Sequence, residues 1–318
     1  MVKIESTLTK LHNTGAKFLR KMTVTKKPAA VGWEKYSWMW QGYHIRYTVV
    51  GTGQPLLLLH GFGASIGHWR NNISVLAAQG YQVYAIDLLG FGDSDKPALD
   101  YSLHLWQELL CDFISDRIQQ PTVFVGNSIG ALLSLMMAAD YPEHTAGVVL
   151  VNAAGGLNHR PQELNLPLRV VMGTFSKVTQ APVIGPMVFH QIRQRHRIRR
   201  TLYQVYANPE AVTEELVDLL YQPSCHEGAQ KVFASILNAP AGPHPSELLP
   251  KVDCPMLVLW GENDPWTPIS GSAIYQKLAQ EKDPVDFFSI PQAGHCPHDE
   301  QPDTVNGYIV DWLAAHFA

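Results

Sequence analysis

Val123-Phe-Val-Gly-Asn-Ser-Ile-Gly130 joins two kinds of sequence at a single turn. Its β-branched, apolar start has the composition of a buried strand. The segment that follows, Ala131-Leu-Leu-Ser-Leu-Met-Met-Ala-Ala139, is unbroken and helix-prone, which puts Ser128 on the turn between strand and helix. A strand that reverses this sharply into a helix pushes its central residue into strained backbone space where neighbouring side chains would collide, and Gly126 and Gly130 keep that space clear. The helix points its first amides back at Ser128, so the Ile129 N–H is free to donate to a developing oxyanion. Gly-x-Ser-x-Gly pentapeptides also arise in ordinary loops. The strand before and the helix after make this one a nucleophile elbow.

Working outward toward the N-terminus, Trp38-Met-Trp-Gln-Gly-Tyr-His-Ile-Arg-Tyr-Thr-Val-Val50 alternates and is rich in aromatic and β-branched residues. Gly51-Thr-Gly53 then turns it into Pro55-Leu-Leu-Leu-Leu59, predicting a leading β-hairpin or meander. His60-Gly-Phe-Gly63 ends that run, and its glycines let the loop approach a ligand closely and present the Phe62 N–H toward Ser128 as a second oxyanion donor. The same glycines do not make a dinucleotide loop: in Gly61-Phe-Gly-Ala-Ser-Ile-Gly67 the last glycine falls one residue late, and no acidic partner stands at the expected distance. Tyr81-Gln-Val-Tyr-Ala-Ile-Asp87 reads as a strand, Ser102 to Ile118 as a helix, Pro121 to Val125 as the elbow strand and Gly147 to Val151 as the next one. Strands alternating with helices across short turns mean an α/β fold with a mostly parallel sheet between helical layers.

From about Gly155 to Ser246 the alternation stops and Pro, Arg, Met and helical patterns replace it, which predicts a helical lid. The expected organisation is a basic N-terminal segment over residues 1–30, a core domain over 31–154 and 247–318, and a lid over 155–246. Val170-Val-Met-Gly-Thr-Phe175 and Val183-Ile-Gly-Pro-Met-Val-Phe189 supply apolar surface that packs the lid on the body or walls a pocket. Arg193, Arg195, Arg197, Arg199 and Arg200, with His190 and His196 interspersed, form a dense basic run, a solvated helix face or a surface for lipid phosphates or substrate carboxylates. Strands return with Met256-Leu-Val-Leu-Trp260, followed by Gly261-Glu-Asn-Asp264, and with Val285-Asp-Phe-Phe-Ser-Ile290, followed by Pro291-Gln-Ala-Gly-His295. Thr304 to Phe317 closes the chain as a helix.

The 318 residues suit one α/β domain with an insertion, and 46% hydrophobic against 16% charged residues exclude a disordered or coiled-coil chain. A net charge of −4 carries no nucleic-acid signature. Cys111, Cys225, Cys254 and Cys296 are far apart and form no Cys-x-x-Cys pair, so neither a zinc site nor a disulfide framework is indicated and a reducing, cytosol-like compartment is the simpler reading. Residues 1–27 differ from the rest: seven Lys and Arg residues stand against Glu5 alone, with apolar residues at helical spacing. That segment suits an anionic membrane surface as well as a helix docked on the domain, and it lacks the apolar core of a secretory signal.

A serine hydroxyl is nearly unreactive at neutral pH, so a base must take its proton, and that base needs a partner that fixes its tautomer. Ser128, Asp264 and His295 each follow a predicted strand, so a parallel sheet brings all three to one edge. His295 is the expected acid/base and Asp264 the group that accepts from its imidazole. His298 lies only three positions from His295, and Asp264 has Glu262 as a neighbouring rival; after the preceding strand the chain holds Asn152 instead of an acid.

Through His60-Gly-Phe-Gly63, Gly126-Asn-Ser-Ile-Gly130, the Asp264 loop and His295, the body of the chain resembles the α/β-hydrolase family. Gly126-Asn-Ser-Ile-Gly130, Asp264-Pro-Trp266 and Ala293-Gly-His-Cys-Pro-His-Asp-Glu300 are further similar to the pheophytinase and chlorophyll dephytylase group of photosynthetic organisms. That resemblance implies a serine esterase with Ser128, Asp264 and His295 as triad, acting on the phytyl ester of pheophytin or chlorophyll in a cytoplasmic, plastid-like or cyanobacterial interior. The resemblance does not extend to the lid, and three functions stay open: such an esterase, a carboxylesterase or carbon–carbon bond hydrolase for small substrates, and a ligand receptor on a hydrolase scaffold. Haloalkane dehalogenases and epoxide hydrolases need a carboxylate nucleophile, and this chain has Ser128 there. The chemistry needs no metal or organic cofactor and none is signalled. The expected partner is a small-molecule apolar ester, with no nucleic acid, and with membrane contact through residues 1–27 or the arginine run.

Overall fold

The computed structural model describes residues 33–158 and 166–317, so the basic segment of residues 1–30 lies outside the described residues. Eight strands form one sheet: β1 (Tyr36–Trp40), β2 (Tyr43–Val50), β3 (Pro55–Leu59), β4 (Gln82–Ile86), β5 (Thr122–Asn127), β6 (Thr145–Val151), β7 (Met256–Gly261) and β8 (Val285–Ile290). Their order is β1-β2-β4-β3-β5-β6-β7-β8. β2 runs antiparallel to both its neighbours, and every pairing from β4 to β8 is parallel.

The leucine run explains why the sheet is parallel at its centre. Successive side chains of a strand point to opposite faces, and all four leucines of β3 are fully buried: Leu57 and Leu59 enter one core with Phe124 and Trp106, Leu56 and Leu58 the other with Trp69 and Trp312. Only a strand covered on both faces can bury such a run. The expected leading hairpin differs in one respect. Gln41 and Gly42, at φ 47° and 86°, divide the segment into β1 and β2, and β4 separates β2 from β3. Flanked by β4 and β5, β3 has both edges paired in parallel; a hairpin with β2 would exchange one of those pairings for an antiparallel one.

Helices cover both faces. Leu103–Phe113 continues through a π-helical turn to Ile118, and the Ser102 side chain caps it by accepting from the Leu105 N–H at 3.2 Å. Ile129–Asp140 follows β5 directly, and Pro302–Phe317 closes the fold. Between β6 and β7 the chain inserts helices Leu166–Gln180, Ile184–Ile192, Arg195–Val205, Glu214–Ser224 and Ala229–Asn238. They lie over the carboxyl ends of the strands, where an open parallel sheet places its ligand.

Candidate active site

Ser128 has φ 58° and ψ −118°, a conformation an L-residue adopts only under local constraint. Close packing imposes it. A Cβ on Gly130 would lie 2.2 Å from the carbonyl oxygen of Leu59, and one on Gly126 would lie 2.2 Å from Gly130 backbone, so no other residue lets the elbow helix come this near to β3. Ser128 N–H donates to the Val151 carbonyl at 3.0 Å, and Ala154 N–H donates to the Ser128 carbonyl at 3.1 Å, tying the elbow to the end of β6.

The residues after β7 and β8 meet in one hydrogen-bonded unit. His295 Nδ1–H donates to Asp264 Oδ2 at 2.7 Å, both side chains being buried. Asp264 Oδ2 also accepts from Asn152 Nδ2 at 2.7 Å and from the Thr267 hydroxyl. Its Oδ1 accepts the N–H groups of Trp266 at 2.7 Å and Thr267 at 3.0 Å. Burial pushes the Asp264 carboxyl upward, but the bond and charge of His295 and the donors of Thr267 outweigh it, so the pKa sits below its ordinary value. The carboxylate therefore stays ionised beside the imidazole. Asn152, at φ 44°, takes the left-handed backbone that asparagine tolerates. Its Oδ1 accepts from Gly261 N–H at 3.0 Å, which aims its Nδ2 at Asp264.

The rivals weighed from the sequence are placed elsewhere. Glu262 accepts from the exposed Ser289 hydroxyl at 2.8 Å. His298 is fully buried, with its ring 4.2 Å from Trp69, and burial holds its pKa well below the ordinary value. Asn152, Thr267 and Asn127 were not singled out from sequence as site residues. For Thr267 a signal existed, since an aspartate three residues before a threonine in a turn satisfies that residue's N–H. For Asn127 and Asn152, whose partners lie across neighbouring strands, none did.

His295 is held from the other side by the insertion. Its N–H donates to the Val205 carbonyl at 2.8 Å, and Asn127 Nδ2 donates to its carbonyl at 3.0 Å. Gly294 permits this approach, because a Cβ there would stand 2.1 Å from the Val205 oxygen. The Gly294 N–H donates to Glu300 Oε1 at 2.6 Å. Nearby, Tyr206 OH donates to Asp299 Oδ2 at 2.8 Å, so its oxygen accepts from His68 Nε2–H at 2.8 Å, while Arg70 Nη1 pairs with Asp299 Oδ1 at 2.8 Å. Burial lowers the His68 pKa to about 4, which keeps that ring neutral. This network fastens the C-terminal end of helix Arg195–Val205 to the body.

Ser128 and His295 line the same cavity of about 270 Å³, which is walled by Phe62, Phe189, Val232 and Phe233 among others. Its volume stands near the lower end of the roughly 300–1,000 Å³ common for ligand pockets. Ser128 Oγ makes no hydrogen bond to His295 in this arrangement, and the Trp266 ring centre lies 5.3 Å from that of His295. Gly61, before the Phe62 amide, is packed against the elbow: a Cβ on it would lie 3.2 Å from Ser128 Cβ. Ile129 N–H heads its helix and has no helical acceptor. Among the described residues no group of three His, Cys, Asp or Glu side chains is arranged to hold a metal ion.

Residues 56–307 match the alpha/beta hydrolase family, to which this chain belongs, and sheet, elbow and insertion have the arrangement of that fold. It is 28% identical to the chloroplastic pheophytinase of Arabidopsis thaliana over 81% of this chain and 60% of that protein, so the chain spans less than two thirds of that relative. It is also 28% identical to 2-hydroxy-6-oxo-6-(2'-aminophenyl)hexa-2,4-dienoic acid hydrolase of Metapseudomonas resinovorans, over 86% of this chain and 88% of that one. A meta-cleavage product hydrolase from Pseudomonas fluorescens IP01 superposes with a TM-score of 0.69 at 26% identity, covering 88% of this chain and 97% of that structure.

Proposed function

We propose that this chain is a serine hydrolase that cleaves a carboxylic ester of a large apolar substrate through an acyl-enzyme, with the phytyl ester of pheophytin or chlorophyll as the substrate class. The observation that carries the reading is the buried Asp264–His295 pair at 2.7 Å, opening with Ser128 on one apolar cavity. With substrate bound, Ser128 turns about χ1 so that Oγ meets His295 Nε2, a contact that commonly tightens only in the complex. As Oγ attacks the ester carbon, Nε2 takes its proton, and Asp264 stabilises the imidazolium that forms. The amides of Phe62 and Ile129 donate to the oxygen that becomes negative. The carbon–oxygen bond to the alcohol then breaks, and the alcohol leaves with the proton from Nε2. Water attacks the acyl-enzyme by the same route in reverse roles, releasing the acid and restoring Ser128.

The phytyl assignment draws on the likeness to pheophytinase and on the apolar cavity wall. A cavity of this size encloses the ester and one arm of such a substrate, and the rest lies beyond it, past the exposed rings of Phe62 and Trp266. A second reading, hydrolysis of a carbon–carbon bond in a small dienoate, is favoured by Lys96 and Arg193 in the cavity lining, where a substrate carboxylate would find a cation. One comparison separates them: purified protein is given p-nitrophenyl esters of rising chain length, then pheophytin and chlorophyll, then a 2-hydroxy-6-oxohexa-2,4-dienoate. Free phytol and a carboxylated chlorin support the first reading. Turnover of the dienoate alone supports the second, and tight binding without turnover of any would replace both with a receptor role. Ser128→Ala and His295→Ala should each abolish turnover with an unchanged circular dichroism spectrum; retained activity in either would sink the proposed chemistry.

A further inference from the structure

Helix Ile184–Ile192 is apolar on two sides. Phe189 and Ile192 line the cavity, with Phe189 packed 5.3 Å from Phe233. On the outside Val183, Ile184 and Met187 are 74%, 52% and 66% exposed, and Val171 of the preceding helix is 61% exposed. A surface helix normally turns polar residues outward, and a clustered apolar exposure marks something that covers it. The charge around this face is one-sided. From residue 171 to residue 209 the sequence contains no Asp or Glu, while it supplies Lys177, Arg193, Arg195, Arg197, Arg199 and Arg200. Arg195 and Arg199 pair with Glu214 and Asp218 of the next helix, and Arg197 and Arg200 stand exposed beside them.

We propose that the exposed apolar face of Val183, Ile184 and Met187, together with the exposed Arg197 and Arg200 of the following helix, docks this protein on an anionic lipid bilayer. A second copy seated on the same face would bring two acid-free, cationic stretches together, which like charges oppose. A bilayer of anionic lipid satisfies both features at once: the apolar side chains enter the acyl boundary, and the guanidinium groups stay at the headgroups. Among the described residues no helix is long and apolar enough to cross a membrane, so the contact is peripheral. Because the opposite side of the same helix walls the cavity, docking would put an apolar ester one helix away from Ser128. That consequence rests on the esterase reading, whereas the docking itself does not.

The test is sedimentation of the full chain with phosphatidylglycerol-rich vesicles and with pure phosphatidylcholine vesicles, beside hydrolysis of a soluble p-nitrophenyl ester. Wild type should partition onto the anionic vesicles. The double variants Ile184→Asp with Met187→Asp, and Arg197→Glu with Arg200→Glu, should each lower that partition at least about tenfold, with soluble-ester turnover unchanged. In Met187→Trp, the added indole should be quenched by brominated anionic lipid. The proposal is overturned if wild type does not bind anionic vesicles, if either double variant binds as wild type does, or if the aspartate variants instead split a dimer. Turnover failing in wild type while vesicle binding behaves as stated would refute the esterase reading alone.

Discussion

Asp264→Asn removes one charge and leaves the shape, and the structure sets what should follow. Five donors converge on the carboxylate: His295, Asn152 and the Thr267 hydroxyl on Oδ2, and the amides of Trp266 and Thr267 on Oδ1. An amide has one oxygen. Set toward His295, it still accepts from three donors and turns its NH2 on two; flipped, it faces three. The first orientation wins, and two donors lose their acceptor at about 1–3 kcal/mol each, so stability should fall by about 2–6 kcal/mol. His295 keeps its tautomer in that orientation but loses the negative charge that stabilises its imidazolium. The fall in kcat should therefore exceed about tenfold and stay at or below the roughly 10⁴-fold known where the amide also imposes the wrong tautomer. Urea denaturation reports the first quantity and p-nitrophenyl ester kinetics the second. A folded variant with kcat within about tenfold of wild type would refute Asp264 as the partner of His295.

Thr267→Val deletes one hydroxyl that stabilises ionised Asp264. The carboxyl pKa is depressed in the fold, so the wild-type advantage in urea denaturation should be full above about pH 4, the unfolded value, and shrink as pH falls below it. An advantage that grows toward low pH would contradict this. Gly130→Ala places a methyl group 2.2 Å from the Leu59 oxygen, and the elbow should yield at a cost of about 3 kcal/mol or more, visible as a lower Tm with lost turnover. Asp87 is buried, accepts the N–H groups of Ile66 and Asp93 at 2.7 and 2.8 Å, and burial raises its pKa to about 6. The folded state thus holds a proton that the unfolded chain has released, and stability drops as pH rises through that interval. Relative to Asp87→Asn, wild type should lose on the order of 3 kcal/mol between about pH 4 and pH 7, and a flat difference would refute the shift.

How far the site can be read without coordinates depends on how each residue finds its partners. Ser128 announces itself through short-range constraints: glycines two residues away on each side, a strand before, a helix after. Asp264 and His295 are legible for a different reason, since each stands a few residues past an apolar run. Thr267 lies close enough to Asp264 for a turn contact to be foreseen. Asn152 and Asn127 have no such local mark, because what they touch is brought to them by β7 and by the His295 loop. The expected hairpin of β2 with β3 failed on the same ground. Adjacent strands suggest pairing, but the gain from burying both faces of Leu56 to Leu59 decides where β3 goes, and that depends on β4, which the chain has not yet reached.

Sequence alone determined the parallel sheet, the elbow and the order serine, aspartate, histidine, because the carboxyl ends of parallel strands share one edge whatever their spacing along the chain. Tertiary structure alone decided that Asn152 reaches Asp264, that the Val205 carbonyl holds the His295 backbone, and that the inserted helices enclose an apolar cavity of about 270 Å³. These are contacts between segments far apart in sequence, and their distances follow from how whole helices pack on the sheet. No local pattern of residues carries that information.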